Sequence, residues 1–299
     1  DYIKSNPKFI QPEHRKNEVL GFLNQPLADL CISRPKTRLN WGIDLPFDSN
    51  YVTYVWFDAL INYITAPYFN VNNKRFNSYW PADCHFIGKD ILTTHAVYWP
   101  TMLMSADLPL PKNIFAHGWW LSDESKMSKS LGNVIDPLDL IEEYGVDPVR
   151  YYLMREMVLG QDASFTLESF IKCYNSDLAN DFGNLLSRVT NLLNKFFDSK
   201  IPSGEDKSIE GKAIKDRGIY TIDQVWKLIQ DMRVNESIEI ILKYIRSVNK
   251  YMEDMAPWKL AGTDINKAGA VLYNASEALR ISANLLTPIM PVSYTHLTL

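Results

Sequence analysis

Hydrophobic residues follow two different periods along the chain. In residues 51–121, short apolar runs alternate with stretches of helical spacing. The runs at 51–57, 84–87 and 114–121 are rich in β-branched and aromatic residues and predict buried strands, whereas 59–65 and 90–105 predict helices. This alternation predicts a parallel sheet with helices on its faces, and ligands of such sheets bind at the carboxyl ends of the strands.

From residue 166 onward the hydrophobic positions repeat with a helical period almost throughout. Two continuous apolar faces predict a helix bundle. The first face consists of Phe182, Leu185, Leu186, Val189, Leu192, Leu193, Phe196 and Phe197, and the second of Ile238, Ile241, Ile245, Val248 and Met252. A polar stretch at 202–212 predicts a loop, and residues 264–287 supply the last helix of the bundle.

Composition and charge exclude several classes of protein. The 299 residues are 46% hydrophobic and 12% aromatic, which is typical of a globular protein with room for two domains. The net charge of -4 argues against a globally basic nucleic-acid binder, so any RNA contact must rest on local patches and on stacking. No apolar run reaches membrane-spanning length, and residues 1–6 do not resemble a secretory leader, so we expect a cytoplasmic protein without a membrane partner.

The three cysteines, Cys31, Cys84 and Cys173, lie far apart in the chain and show no C-x-x-C spacing. This spacing predicts neither a disulfide framework nor a zinc site. We expect all three to be buried thiols.

A short polar loop at 126–130 carries two lysines, Lys126 and Lys129. Lys is a compact charge on a flexible stem, so such a loop can close over phosphates and release them again. On its own, a string of this kind is more often a solvated loop tip. Its letters are KMSKS, however, and at this point the chain resembles the class I aminoacyl-tRNA synthetases, whose second signature loop this is.

Three further motifs narrow the resemblance to methionyl-tRNA synthetases. They are YVWFDA at 54–59, FIGKDI at 86–91 and HGW at 117–119, in the order of that family. The likeness runs from the start to Pro291, and residues 292–299 depart from it. It implies an α/β plus all-α fold, in which the second half of a Rossmann-like parallel-sheet catalytic domain precedes an anticodon-binding helix bundle.

The resemblance also implies a domain organisation. Residues 1–50 would end an inserted domain and re-enter the catalytic one, 51–121 would be the carboxyl-terminal half of the catalytic domain, and 122–165 the KMSKS loop and connector. The anticodon-binding domain would cover 166–291, followed by an atypical tail at 292–299. The family's amino-terminal half and its inserted domain, which often binds zinc, have no counterpart here, so the chain alone is expected not to form methionyl-adenylate.

A methionine pocket is implied at five positions. Read from spacing alone, the aromatic residues at these positions would belong to the hydrophobic core. They would also suit a thioether substrate, because its sulfur gains roughly 0.3 to 1.5 kcal/mol beside aromatic edges. The residues that match the family's pocket are Trp56, Ala59, Tyr63, Ile91 and His95. Trp99, one turn beyond His95, fits the pocket wall and the core equally well.

The family's reaction implies a nucleotide site. Methionine attacks the α-phosphate of ATP, and the adenylate then acylates the terminal ribose of tRNA(Met). Lys129, assisted by Lys126, is the candidate catalytic residue that stabilises the departing pyrophosphate, a role for which one preorganised donor is worth about 3 kcal/mol. Magnesium is expected with ATP, although no carboxylate cluster identifies a metal site. The implied ATP-binding residues are Gly88, Asp90, Gly118, Lys126 and Lys129.

The helical part carries a polar stripe opposite its first apolar face, formed by Asn184, Arg188, Asn191 and Lys195. Most such stripes are solvated surface. The family's anticodon contacts match Asn184 and Arg188, and its stacking tryptophan matches Trp258. An unpaired base stacked on Trp258 would gain roughly 1 to 3 kcal/mol.

Two alternatives remain open at this point. A sibling class I synthetase for Leu, Ile, Val or Cys is disfavoured by the wording of 54–63, and amino-acid-dependent pyrophosphate exchange would separate the two. A tRNA-binding module without catalysis is the alternative from another class. The oligomeric state does not follow from the sequence.

Overall fold

The computed structural model describes residues 1–122, 125–127 and 134–298. The chain divides into two compact units, a first unit of Asp1–Trp119 and a second unit of Trp120–Leu299. The finer division that the resemblance implies, with boundaries at 50, 121 and 165, stays a prediction.

The first unit consists of helices and strands in alternation. Its helices are α1 (Tyr2–Ser5), α2 (Glu13–Leu23), α3 (Val55–Thr65), α4 (Asn73–Tyr79) and α5 (Trp99–Ser105). Its strands are β1 (Ile10–Gln11), β2 (Ser33–Pro35), β3 (Asp44–Leu45), β4 (Asp48–Thr53), β5 (His85–Gly88) and β6 (Ile114–His117). The polypeptide between β5 and α5 is helical but irregular, with a 3-10 turn at Lys89–Ile91 and a π-helical turn at Thr94–Tyr98.

A parallel sheet with the order β1-β6-β5 positions the predicted site. In β5 and β6, His85 pairs with Ile114 and Gly88 with His117, so both strands end at the same edge. One core packs this sheet against α2. A second core, in which half of the buried residues are aromatic, joins α3, α4 and α5. Its buried residues are Leu60, Ile64, Phe76, Trp80, Trp99 and Leu103.

The run at 51–57 is not the single strand that the sequence predicts. β4 ends at Thr53, where it pairs antiparallel with β2, and α3 begins at Val55. Trp56 therefore lies in the first turn of a helix and not at the end of a parallel strand. Aromatic residues fit a half-buried helix face as well as a strand, so their enrichment does not separate the two.

The run at 114–121 is also split. β6 ends at His117, and Trp120–Ser122 forms β7 of the second unit. There β7 lies between β8 (Ser125–Lys126), which is antiparallel to it, and β9 (Ala163–Phe165), which is parallel. Gly118 lies between the two strands, where the chain leaves the parallel sheet.

The second unit is mainly helical. Its helices are α6 (Pro137–Tyr144), α7 (Val146–Glu156), α8 (Leu167–Cys173), α9 (Asn184–Phe197), α10 (Ile209–Gln230), α11 (Val234–Met255), α12 (Pro257–Leu260), α13 (Ile265–Leu286) and α14 (Pro291–Thr298). A π-helical segment, Tyr174–Gly183, joins α8 to α9. The predicted loop at 202–212 ends earlier, because the Ser208 hydroxyl accepts a hydrogen bond from the Gly211 amide and caps α10.

The bundle core follows the predicted apolar faces. Leu185, Val189 and Leu193 of α9 are buried, and so is the whole predicted face of α11. The predicted last helix corresponds to α13, with Asp264 as its N-cap. The predicted fold class, a parallel-sheet α/β part followed by a helix bundle, is confirmed.

None of the three cysteines is as buried as predicted. Cys31 is exposed, because it lies in the irregular segment before β2 and contributes to neither core, while Cys84 and Cys173 are half-buried. In the described ranges, no helix combines the length and the apolar composition needed to cross a bilayer.

Candidate functional site

The predicted methionine-binding residues Trp56, Ala59 and Tyr63 lie on one face of α3. Their spacing of i, i+3 and i+7 places the three side chains along the same side of the helix. Trp56 and Tyr63 are half-buried, and Ala59 is exposed. The small side chain of Ala59 leaves space between the two rings.

His95 joins this face of α3 to the helical segment after β5. Its Nδ1 lies 2.9 Å from the Ile91 carbonyl oxygen, and its Nε2 lies 2.9 Å from the Tyr63 hydroxyl oxygen. A carbonyl oxygen only accepts, so Nδ1 carries the proton and donates it, and Nε2 accepts from Tyr63. His95 is 2% exposed, and burial lowers the pKa of its imidazole. The ring is therefore neutral, with one defined tautomer.

The contact between Ile91 and His95 does not use the regular helical turn that the sequence predicts. Ile91 ends the 3-10 turn, and His95 lies in the π-helical turn. The structure still brings the two residues together, since the His95 side chain caps the Ile91 carbonyl. π-Helical turns in longer helices are frequent at functional sites.

The shared surface of Trp56, Tyr63 and His95 is aromatic and neutral. The Trp56 ring lies edge-on to the His95 ring, with centroids 6.0 Å apart and an interplanar angle of 78°. The Tyr63 hydroxyl donates its proton to His95, and both His95 nitrogens have partners within the protein. A thioether is suited to such a surface, because sulfur packs favourably against aromatic edges.

Sequence reasoning missed two residues of this region and left a third open. His85 is 5% exposed, and its ring packs against Tyr63 with centroids 4.2 Å apart and the planes tilted by 38°. Trp80 packs beside His85 at 6.0 Å. Trp99 is 1% exposed and lies 6.0 Å from the Tyr63 ring. The period of two in β5 could have identified His85, because it places His85 on the same face as the apolar Ile87.

The predicted ATP-binding glycines lie beside each other at the carboxyl ends of two parallel strands. Gly88 ends β5 opposite His117 of β6, and Gly118 follows His117 directly. The His117 Nδ1 donates a hydrogen bond to the Gly118 carbonyl oxygen at 2.7 Å. This edge of a parallel sheet is where ligands bind in such folds.

Gly88 is required for space and not for an unusual backbone. Its φ of -71° and ψ of 147° suit any residue. A Cβ atom at this position would lie 2.6 Å from Oδ1 of Asp90. The same oxygen accepts a long hydrogen bond, 3.4 Å, from Trp119 Nε1, and the Lys89 ammonium lies 4.2 Å from the Trp119 ring centroid. Glycine thus leaves the Asp90 carboxylate where it can accept hydrogen bonds from ligand hydroxyls.

The two lysines of the KMSKS loop are not both described by the structure. The backbone of Lys126 ends β8 and pairs with Leu121 of β7. Lys129 lies in 128–133, outside the described residues. The catalytic roles of both lysines stay predictions.

In the second unit, two of the three predicted anticodon residues are in contact. The Arg188 guanidinium lies 5.5 Å from the ring centroid of Trp258, which is 39% exposed. Asn184, one turn before Arg188 on α9, is exposed. An exposed indole beside an arginine is a surface on which an unpaired base can stack.

A buried ion network, absent from the sequence prediction, holds the segment that leads into α9. Asp177 of the π-helical segment is 5% exposed. It accepts hydrogen bonds from the Tyr151 hydroxyl at 3.0 Å and from Arg155 Nε at 3.2 Å, and Arg246 Nη2 lies 3.6 Å away. These contacts join α7, α11 and the π-helical segment, so the start of α9 is held by three elements.

The family model for tRNA synthetases class I (M) matches residues 1–190. The methionine–tRNA ligase of Clostridium acetobutylicum is 49% identical over 97% of this chain and 45% of its own length. The ligase of Bacillus subtilis is 45% identical over 97% of this chain and 44% of its own length. The Rickettsia conorii ligase is 44% identical over 98% of this chain and 58% of its own length. The chain spans about half the length of the curated relatives it matches.

Solved structures of Mycobacterium tuberculosis methionyl-tRNA synthetase are also similar. The complex with methionyl-adenylate has a TM-score of 0.95 at 40% identity and covers 99% of this chain and 59% of its own. The free form has a TM-score of 0.91 at 37% identity, over 99% of this chain and 58% of its own.

Proposed function

Since the chain belongs to the tRNA synthetases class I (M) family, we propose that it forms part of an enzyme that attaches methionine to tRNA(Met). In the first step, a methionine carboxylate oxygen attacks the α-phosphorus of ATP, and pyrophosphate leaves. In the second step, a hydroxyl of the terminal tRNA ribose attacks the adenylate carbonyl, and AMP leaves. We place this activity in the cytoplasm and assign the sheet part, 51–121, to adenylation and the helical part, 166–291, to tRNA.

Methionine binding is proposed for Trp56, Ala59, Tyr63, Ile91 and His95. The observation that carries this proposal is the hydrogen-bond chain from Tyr63 through His95 to the Ile91 carbonyl, beside the Trp56 ring. It holds a neutral aromatic wall in one geometry, which suits an uncharged thioether side chain. The similarity to a synthetase solved with methionyl-adenylate gives independent support.

ATP binding is proposed for the edge formed by Gly88, Asp90 and Gly118, together with Lys126 and Lys129. Asp90 would accept hydrogen bonds from the ribose hydroxyls, and the backbone at the two glycines would lie along the nucleotide. Lys129, assisted by Lys126, would neutralise the charge that develops on pyrophosphate. Mg²⁺ would arrive with ATP as part of the substrate, because the described residues contain no group of three or more His, Cys, Asp or Glu side chains that could hold a metal. Zinc would belong to an inserted domain of the kind seen in the family.

The tRNA surface is proposed around Asn184, Arg188 and Trp258. Contact between Arg188 and the exposed Trp258 supports it, since an unpaired base can stack on the indole while arginine contacts a phosphate or a base edge. An acidic chain requires such local contacts.

The decisive experiment is amino-acid-dependent exchange of pyrophosphate into ATP by the complete product of the gene that encodes this chain. Exchange is expected with methionine and not with leucine, isoleucine, valine or cysteine. Lys129→Ala should lower kcat about a hundredfold, because one preorganised donor is worth about 3 kcal/mol in such a transition state. Lys200→Ala, which removes an exposed lysine just beyond α9, is the matched control and should leave kcat unchanged.

Two outcomes would overturn the proposal. Exchange with leucine, isoleucine, valine or cysteine, but not with methionine, would identify a sibling synthetase. Binding of tRNA without exchange for any amino acid would identify a tRNA-binding module.

A further inference from the structure

His85 is a buried titratable residue that the proposed reaction does not use. It lies on β5 with its side chain on the same face as Ile87, and it is 5% exposed. Its neighbour Phe86 points to the other face and is 52% exposed. A polar side chain in an otherwise apolar strand loses hydration, so its nitrogens require partners within the protein.

The partners of His85 are two aromatic residues of the proposed pocket region. Trp99 Nε1 lies 3.1 Å from His85 Nε2. The Tyr63 ring packs against the imidazole in a tilted arrangement, with centroids 4.2 Å apart and an interplanar angle of 38°. His85 therefore connects β5 to α5 through Trp99 and to α3 through Tyr63.

The tautomer of His85 follows from these contacts. An indole N–H only donates, so Nε2 must be the acceptor and the proton of the neutral ring lies on Nδ1. Burial, together with the neighbouring His95, lowers the pKa of His85 to about 4. The ring is neutral at physiological pH, and protonation of Nε2 would place two donors against each other.

Tyr63 is the residue through which His85 reaches the pocket. The Tyr63 hydroxyl donates to His95, while one face of its ring rests on His85. The hydrogen bond holds the hydroxyl but leaves the ring free to turn about its Cβ–Cγ bond, whereas a second ring packed against its face restricts this rotation. His85 thus fixes the orientation of the ring from which His95 receives its hydrogen bond.

We propose that His85 is a positioning residue for methionine, because it orients Tyr63 by close ring packing and Trp99 by accepting its indole hydrogen bond. This inference rests on the proposed function in one respect only, namely that Tyr63 and His95 contact methionine. A residue that merely fills the core would contribute to stability in proportion to its packing and would leave substrate affinity unchanged once the protein is folded.

The first test needs no substrate and uses the complete wild-type gene product. The ¹⁵N chemical shifts of the His85 imidazole should report a proton on Nδ1 and a free Nε2, and the indole N–H of Trp99 should exchange slowly with solvent. A protonated Nε2, or rapid exchange of the Trp99 indole, would overturn the proposal whatever the protein catalyses.

The second test compares three variants of the complete gene product in pyrophosphate exchange. His85→Phe keeps a ring but removes the acceptor and should raise KM for methionine about tenfold with little change in kcat, since a tenfold change in affinity matches the loss of about one hydrogen bond. His85→Gln restores an acceptor near Nε2 and should recover part of the affinity. Phe76→Leu is the core control, because Phe76 is buried in the same cluster but its ring contacts are Phe69 and Trp80.

Phe76→Leu should lower the unfolding midpoint without changing KM. An equal rise in KM for Phe76→Leu and His85→Phe, or no rise for His85→Phe, would reduce His85 to a core residue. If neither His85 variant folds, the measurements of the His85 tautomer and of the solvent exchange of the Trp99 indole N–H in the wild type decide the question. If the wild type showed no methionine-dependent pyrophosphate exchange, the proposed function would be refuted, and the conclusions from the tautomer and indole N–H measurements would still hold.

Discussion

Replacement of Tyr63 by phenylalanine removes a single oxygen from the centre of the proposed pocket. The ring remains, so its contacts with His85 and Trp99 are retained. His95 Nε2 loses the donor that lies 2.9 Å away. Because His95 is only 2% exposed, water cannot readily replace that donor.

The loss of stability in Tyr63→Phe follows from the burial of the acceptor, His95 Nε2, that is left without a donor. A buried acceptor left without a partner costs about 1 to 3 kcal/mol, so Tyr63→Phe should lower the free energy of unfolding by that amount. The Nδ1 bond to the Ile91 carbonyl remains, which keeps the loss at a single hydrogen bond. Without the phenol, the imidazole is held from one side only, and KM for methionine should rise about tenfold.

Urea unfolding followed by tryptophan fluorescence measures the first effect, since five of the eight tryptophans, at positions 41, 56, 80, 99 and 119, lie in the first unit. Tyr79→Phe makes the same chemical change at a residue that is 65% exposed and should shift stability by less than about 0.5 kcal/mol. Equal stability of the Tyr63 and Tyr79 variants, with unchanged KM, would refute the argument that Tyr63 holds His95.

Three further outcomes are expected. First, the free energy of unfolding should fall by about 2 kcal/mol between pH 7 and pH 5, because the unfolded His85 binds a proton below its ordinary pKa of 6.5 whereas the folded one does so only near 4. Urea titrations at several pH values should show that the free energy of unfolding of His85→Gln depends less steeply on pH than that of the wild type. Identical slopes for the two proteins would contradict this assignment. Second, Gly88→Ala should fold with a stability change below about 1 kcal/mol but should raise KM for ATP about tenfold, because its Cβ displaces the Asp90 carboxylate. An unchanged KM for ATP would show that the space at Gly88 does not serve the nucleotide. Third, Trp258→Ala should weaken tRNA(Met) charging by about 10- to 100-fold and leave pyrophosphate exchange unchanged, because one base loses its stacking partner. Equal losses in both assays would exclude an anticodon role for Trp258.

Helices with a strong local pattern could be predicted from the residues alone. The face of α11 from Ile238 to Met252 repeats every three or four positions and is buried as predicted. α13 likewise begins after its Asp264 cap and ends before Pro288. Such patterns are readable because helix periodicity, capping and proline termination involve residues close in sequence. The family motifs are equally local, and the prediction that Gly88, Asp90 and the residues around Tyr63 form a site rests on them.

Long-range contacts account for what the sequence did not reveal. The strand predicted at 51–57 ends at Thr53 because β4 pairs with β2, and no residue within the run reports that pairing. His85 resembles any strand residue until Tyr63 and Trp99, 22 and 14 positions away in the sequence, close around it. Trp119 reaches Asp90 across 29 positions, and a Cβ atom at position 88 would meet the carboxylate that this contact holds. Local periodicity specifies which residues face inward, but the partner that each meets there depends on how distant segments pack, and the chemistry of the proposed site depends on those partners.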